Sequence, residues 1–371
     1  MKKLCFFTSA RSEYGLIKWL MKDVISSSLF DLQLIVTGAH LLNEQGSTIN
    51  SIHEDGFNID AIIDIQLDTS SPSHIAGSMG RMAEQAANVL EQLAPDYVVV
   101  LGDRYELLPL CNTAYVMRIP IIHLSGGDIT EGAIDNGIRN AVTMLADYHF
   151  PGTQEGASNI IRMRNSSEYV WNVGEPGLDS YYRETILSRK DISRLLNLKP
   201  DSKWILMTYH PETTRSLEYN LKAAENCCKA LNKLPGFQTV ITYANADFGG
   251  KQINDLVRSY SASSSGKIVV VPSLGNQKYH SLMKYVEFVI GNSSSGIIEA
   301  PMLKKHVINL GNRQKGRYLC SNITQCDTDI NSIETAIDHV LNNDVDISDI
   351  DYWGDGHTSS RILEIISRIL N

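Results

Sequence analysis

Short, wholly apolar runs recur along this chain with amphipathic stretches between them, and that alternation limits its fold more than any other feature. KLCFFTS is followed by GLIKWLMKDVISSS and FDLQLIVTG, and the helical MAEQAANVLEQLA leads into DYVVVLGD. A strand apolar at every position has both faces buried, which calls for a parallel sheet covered by helices on each side. The rhythm continues through RIPIIHLSGGD, the helical AIDNGIRNAVTMLAD, YHFPGT and the strand-like SEYVWNVGEP. Most of the Gly, Ser and charged residues fall in the loops after the strands, where open α/β sheets bind ligands.

NVGEPGLD, with two glycines and a proline in eight residues, interrupts the series and is followed by the charged YRETILSRKDISRLL. Such punctuation marks a domain boundary. A second series runs through WILMTYHP, the helical LEYNLKAAENCCKALNKL, QTVITYANAD, KIVVVPSLG, YVEFVIGNSSSG and KHVINLGN, and SSRILEIISRIL closes the chain as a helix after a polar loop with Asp355, Gly356 and His357. At 371 residues and 43% hydrophobic content, two domains each with its own core are expected. We place them at 1–175 and 176–355, with 356–371 as the terminal helix, and expect a cleft between the two domains.

The net charge of -9 and pI near 5.6 argue against nucleic-acid or anionic-membrane partners, which require a basic face. A small anionic ligand can still bind through local groups. Cys5, Cys111, Cys227, Cys228, Cys320 and Cys326 form no CxxC and no zinc spacing, so reduced thiols are expected, with neither disulfides nor metal. MKKLCFF opens like a signal peptide, but Arg11 and Glu13 follow at once. No segment approaches the ~18 apolar residues of a spanning helix, so a cytoplasmic protein is expected.

Five loops carry candidate chemistry. TSARSEYGL opens a helix, so Arg11 and the first amides can meet phosphate oxygens; Arg11 beside Glu13 also fits a surface pair. LGDRYELL puts Asp103 and Arg104 at the end of an apolar strand, where Asp103 is either functional or a helix N-cap. HLSGGDITEGAIDNGIR combines two glycines with Asp128, Glu131, Asp135 and Arg139, the last two at i,i+4 spacing. Acids beside one arginine suit proton transfer near an anionic leaving group, since like charges raise one carboxyl pKa and the arginine lowers another; capping with a surface ion pair is the plain structural reading. TYHPETT sets His210 at a strand end. GNSSSGIIEA supplies hydroxyls and amides for a phosphate, with Glu299 placed for ribose hydroxyls, or else a serine cap and a turn. GxxxxGK[ST], a GxGxxG after the first strand, HExxH and GxSxG are all missing, which disfavours the enzymes they mark.

SARSEYGL, GDR, GGD with IDNGIR, HP, GNSSSG with Glu299, and NLGNRQKGR occur in the order and spacing of the hydrolysing UDP-GlcNAc 2-epimerases, which the chain resembles over nearly its whole length. The resemblance implies a GT-B-like α/β architecture: two Rossmann-like domains with parallel sheets facing a cleft, the first on the sugar side, the second on the UDP side, and a C-terminal helix crossing back. It also implies a UDP-N-acetylhexosamine substrate, no cofactor, and a homodimer or homotetramer. Carried over residue by residue, it puts Asp103, Asp135, Arg139 and His210 at the chemistry, with Asp128 and, behind it, Glu131 as further acids of the same loop. Arg11, Arg104, His210, Asn245, Ser293, Ser294, Ser295, Glu299, Arg313 and Arg317 fall at the substrate and its nucleotide. Two positions depart from the pattern: Asp128 where the family has glutamate, and Asn140 where it has histidine.

The implied reaction converts UDP-GlcNAc and water to ManNAc and UDP by elimination to a glycal and hydration. The TEGAID stretch also resembles relatives acting on UDP-2,4-diacetamido-2,4,6-trideoxyglucose. A non-hydrolysing epimerase, a GT-B glycosyltransferase and a nucleotide-sugar-binding regulator are the competing readings. The first two are told apart by their products, and the last by an unchanged substrate.

Overall fold

In the computed structural model, which describes residues 1–370, every residue of Leu4–Thr8 is buried and successive side chains enter different layers. Leu4 and Phe6 pack with Ile17, Leu20 and Met21 of helix Arg11–Ser27, while Cys5 and Phe7 pack with Met82, Ala86 and Leu110 on the other face. This two-sided burial turns the two-residue period of a strand into a continuous apolar run. Each fully buried Leu, Ile or Phe contributes roughly 1.5–3 kcal/mol.

That run is β1 (Lys2–Thr8) of a six-stranded parallel sheet completed by β2 (Phe30–Thr37), β3 (Ala61–Ile63), β4 (Tyr97–Leu101), β5 (Ile121–Leu124) and β6 (Tyr148–Phe150). The spatial order is β3-β2-β1-β4-β5-β6. β1 pairs with β2 from Lys2 opposite Phe30 to Thr8 opposite Val36, and with β4 from Leu4 opposite Tyr97 to Phe6 opposite Val99. A second parallel sheet contains β7 (Lys203–Thr208), β8 (Phe237–Thr242), β9 (Ile268–Val271), β10 (Phe288–Gly291), β11 (His306–Leu310) and β12 (Ile323–Cys326), ordered β9-β8-β7-β10-β11-β12. Its central strand divides in the same way: Ile205 and Met207 enter one core with Ala224 and Ile337, Trp204 and Leu206 the other with Leu282 and Ile192.

Both orders are doubly wound. Strand order reverses between β1 and β4 in one sheet and between β7 and β10 in the other, and crevices at such switch points are the usual ligand sites of open α/β sheets.

The chain divides into two units. The first comprises Met1–Ile129, Ile134–Tyr182 and the segment from Trp353 onward; the second comprises Thr130–Ala133 and Arg183–Tyr352. The first unit therefore continues past the expected break at 175/176, for a reason visible at Asp179. This residue is 1% exposed, and its carboxylate accepts the Thr358 and Ser359 amides at 2.9 and 2.7 Å, capping the terminal helix Thr358–Ile369. Ile362 and Ile366 of that helix share a core with Ile17 and Met21. SEYVWNVGEP, expected as a strand, runs parallel to the end of β6: the Tyr169 carbonyl accepts the His149 amide at 2.8 Å, and Trp171 and Val173 donate to the His149 and Pro151 carbonyls at 3.0 and 3.1 Å, with Val170 opposite His149 as the bridge pair. All six cysteines are buried free thiols. Among the described residues no helix is long and apolar enough to cross a membrane, and no group of three or more His, Cys, Asp or Glu is arranged to hold a metal ion.

Candidate active site

The loops after β1 and β4 flank the switch point of the first sheet, and charge is concentrated there. Arg11 is the first residue of its helix and half-buried. Glu13, read from sequence as its possible surface partner, is instead 5% exposed. One of its oxygens accepts the amides of Ser9 and Ala10 at 2.8 and 3.1 Å and the Ser9 hydroxyl at 2.7 Å. Burial raises the Glu13 pKa to about 7, against the lowering effect of the Arg104 guanidinium. Arg104, expected at the nucleotide, is 8% exposed and forked onto the fully buried Glu106, with Nε and Nη2 at 3.2 and 3.3 Å from the two carboxylate oxygens. It is the counter-charge of a buried acid.

Asp103 and Arg139 form an ion pair in which Arg139 is almost wholly enclosed, its side chain 1% exposed against 25% for Asp103. The same guanidinium donates through Nη1 to the Asp128 carbonyl at 2.8 Å. Arg139, on helix Asp135–Leu145, thus binds the loop after β4 to the loop after β5. Neither aspartate caps a helix: the N-cap residues of Leu107–Val116 and Asp135–Leu145 are Glu106 and Ile134. Asp128 is 6% exposed, and Asp135 and Asn140 are half-buried. Removing one member of an enclosed ion pair typically costs about 3–5 kcal/mol, because the other charge stays behind unpaired.

The paired glycines serve the protein's own packing. A Cβ on Gly126 would lie 2.9 Å from the His123 imidazole, and one on Gly127, at φ +85°, would lie 2.2 Å from the Gly156 carbonyl oxygen. His123 is neutral, its pKa lowered to about 4 by burial, and its Nε2 lies 2.8 Å from the Gly102 carbonyl, which fixes the start of the Asp103 loop. Beyond Asp128, Thr130–Ala133 packs with the second unit. Glu131 donates its amide to the Lys315 carbonyl at 2.9 Å and pairs its exposed carboxylate with Lys315 Nζ at 2.7 Å. Thr214 donates to the Gly132 carbonyl at 2.9 Å. This placement puts Glu131 in a solvated ion pair, a poor position for a proton-transfer acid.

In the second sheet the loops after β7 and β10 flank the switch point. Gly291, at φ +139°, allows them to touch: a Cβ there would sit 1.9 Å from the Thr208 carbonyl oxygen. Asn292 joins the loops, accepting the His210 amide at 2.7 Å and donating to the His210 carbonyl at 2.8 Å. His210 is 5% exposed, and its Nδ1 accepts the Asn245 amide at 3.0 Å, which leaves the ring proton on Nε2. Ser293 is the N-cap of the short helix Ser294–Ile298 and its Oγ accepts the Ser295 amide; Ser295 Oγ also lies 2.5 Å from the Tyr279 hydroxyl. Glu299, 8% exposed, is the C-cap of that helix. Arg313 and Gln314 both donate to the Asn292 carbonyl, at 3.3 and 2.8 Å, and Arg317 donates to Gln314 at 3.0 Å. NLGNRQKGR thereby braces the serine loop from behind.

Sequence reading took Glu13 for a surface partner of Arg11 and missed Glu106 and Glu212. Glu212 is fully buried, its pKa raised by burial, and its Oε1 accepts the Asn312 amide at 3.0 Å, joining the His210 loop to the Arg313 loop. Each of these acids lies within two residues of a candidate already marked, the signal that could have found them.

Two doubly wound parallel sheets, one with enclosed carboxylate–arginine pairs at its switch point and the other with a serine loop, define the class as α/β with two Rossmann-like units. The family model described as UDP-N-acetylglucosamine 2-epimerase matches residues 22–367, and the chain belongs to that family. It is 35% identical over 337 residues to the GDP/UDP-N,N'-diacetylbacillosamine 2-epimerase (hydrolyzing) of Campylobacter jejuni, covering 91% of this chain and 87% of that one. It is 31% identical over 371 residues to the UDP-N,N'-diacetylbacillosamine 2-epimerase (hydrolyzing) of Legionella pneumophila, covering 100% and 96%. The fold is that of the Methanocaldococcus jannaschii UDP-GlcNAc 2-epimerase solved with UDP-GlcNAc and UDP, at TM-score 0.83, 18% identity and 99% coverage of both chains. That architecture is GT-B-like.

Proposed function

We propose that the protein is a hydrolysing 2-epimerase that takes a UDP-activated 2-acetamido sugar and water to UDP and the free C2 epimer. The observation that carries this reading is the Arg139 bridge. It fixes Asp103 beside the Asp128 loop at the first switch point, in a chain of a 2-epimerase family.

The C2 proton of such a sugar has no adjacent carbonyl and is not acidic, so C1–O cleavage comes first. The diphosphate leaves with the bonding pair, and the cationic centre at C1 acidifies C2. One carboxylate then takes the C2 proton, giving a glycal. An acid returns a proton to C2 on the opposite face, and water adds its hydroxyl to C1, its remaining proton going to the acid that has just given one up. Asp103, Asp128 and Asp135 are the groups for these two transfers. Arg11, His210 Nε2–H and the hydroxyls and amides of Ser293, Ser294 and Ser295 stabilise the departing diphosphate. Glu299 takes the ribose hydroxyls, and Asn245, Arg313 and Arg317 complete the nucleotide side.

The Campylobacter and Legionella relatives support UDP-2,4-diacetamido-2,4,6-trideoxyglucose as the sugar nucleotide, and UDP-GlcNAc, in the family's description, is the second reading. Turnover in H2(18)O separates the chemistries. Cleavage at C1–O yields UDP free of 18O together with free epimerised sugar, whereas labelled UDP or a nucleotide-linked epimer would overturn the reading.

A further inference from the structure

Helix Gly275–Tyr285 carries two adjacent side chains that reach the nucleotide loop at two points. Tyr279 meets Ser295 at 2.5 Å, and His280 Nε2 lies 3.3 Å from Glu299 Oε2. His280 is 2% exposed, and its Nδ1 lies 3.8 Å from Oε2 of Glu184, so the imidazole stands between two carboxylates whose side chains are 6% and 10% exposed. The helix also fixes the segment that carries Glu184: Gln277 donates to the Thr185 carbonyl at 3.0 Å, and Ser281 accepts the Leu187 amide at 2.9 Å.

Carboxylates are rarely buried without a partner, because the desolvated charge is costly. Among the described residues, the one hydrogen-bond partner of the Glu299 carboxyl is His280, through Oε2, and Oε1 takes part in no hydrogen bond. A histidine that engages one oxygen fixes the carboxylate plane and leaves the other oxygen for a donor from outside. A carboxylate held in this way can accept the paired hydroxyls of a ribose without first losing rotamer freedom.

We propose that His280, oriented by Glu184, is a positioning residue that holds Glu299 for selecting ribonucleotides over deoxyribonucleotides. This rests on the assignment of Glu299 to the ribose and adds the residues that make it selective.

The test is calorimetric titration of UDP and 2'-deoxy-UDP into the wild-type protein and the variants His280→Leu, His280→Gln, Glu184→Gln and Glu299→Gln. The wild type is expected to favour UDP about tenfold, the scale of one hydrogen bond to a charged group. His280→Leu should bring that ratio close to one by weakening UDP alone. His280→Gln, whose amide can still donate, should keep most of the preference, and Glu184→Gln should reduce it a few-fold. A His280→Leu protein that keeps the ribose preference, or weakens both nucleotides alike, overturns the proposal while leaving the ribose assignment standing. Should that variant not fold, an unchanged ratio in Glu184→Gln overturns it equally. A wild type with no preference for UDP overturns the ribose assignment itself.

Discussion

The two units repeat one strand order and fill their switch points differently, the first with enclosed carboxylate–arginine pairs, the second with backbone-joined serine and histidine loops braced by Glu212 and Arg313. In the first, the loops after β1 and β4 hold Arg139 against Asp103, Arg104 against Glu106, and Glu13 with a raised pKa. In the second, the corresponding loops after β7 and β10 are joined by amides, hydroxyls and a histidine with its proton on Nε2: Asn292, Ser293, Ser295, Tyr279 and His210. Enclosed charge gives carboxylates the low-dielectric setting in which proton affinity can be tuned. Neutral donors braced by their own backbone suit an anion that must be held and then released. In the function proposed above, the loops of the first unit carry the proton transfers and those of the second hold the diphosphate.

This contrast can be broken from either side. Asp103→Asn and Asp135→Asn are expected to lower kcat by roughly 10²–10⁴, the range of general acid–base catalysis, while the Kd for UDP moves only a few-fold. Loss of UDP binding in these variants would make the two aspartates part of nucleotide recognition rather than of proton transfer alone.

Glu13 gives a stability test of the first switch point. Its folded pKa of about 7 lies above the ordinary carboxyl value, so between about pH 4.5 and 7 the folded chain binds more protons than the unfolded one. Its contribution is complete below that window and is lost as pH rises through it, on the order of 3 kcal/mol at most. Glu13→Gln should flatten this part of the melting-temperature profile, and an unchanged profile would remove Glu13 as the titrating group.

Gly291→Ala tests the second switch point. A side chain there meets the Thr208 carbonyl oxygen at φ +139°, and strain of about 1–3 kcal/mol should separate the loops and weaken UDP by up to roughly 100-fold. Ser293→Ala, the mildest change, should raise the UDP Kd about tenfold through one lost hydrogen bond to a charged ligand, and lower kcat as well because the departing diphosphate loses a donor.

The central strands were legible in the sequence because two-sided burial writes itself as unbroken apolar runs such as YVVVL in β4. Two of the edge strands were not: β3 is three residues long and partly exposed, and β12, ITQC, is half polar, so neither has a periodicity to detect. SEYVWNVGEP has strand composition and runs beside β6, with Trp171 donating to the His149 carbonyl at 3.0 Å, Val173 donating to the Pro151 carbonyl at 3.1 Å, and Trp171 stacking on Phe150 at 5.3 Å. At the site, residue types and loops were readable, but the direction of a charge was not. Arg104 and Arg139 both follow strand ends in sequence, and only the fold shows that both are enclosed against acids. Glu106 and Glu212 look like surface glutamates until the backbone brings Arg104 to one and the Asn312 amide to the other.

The most direct test of the division of labour is proton NMR of the protein turning over UDP-2,4-diacetamido-2,4,6-trideoxyglucose, and in parallel UDP-GlcNAc, in heavy water. Release of the free C2 epimer carrying deuterium at C2, abolished in Asp103→Asn with UDP still bound, is the predicted result. Product that keeps its original C2 hydrogen, or an Asp103→Asn protein that still exchanges C2 at the wild-type rate, would contradict the assignment of proton transfer to the first unit.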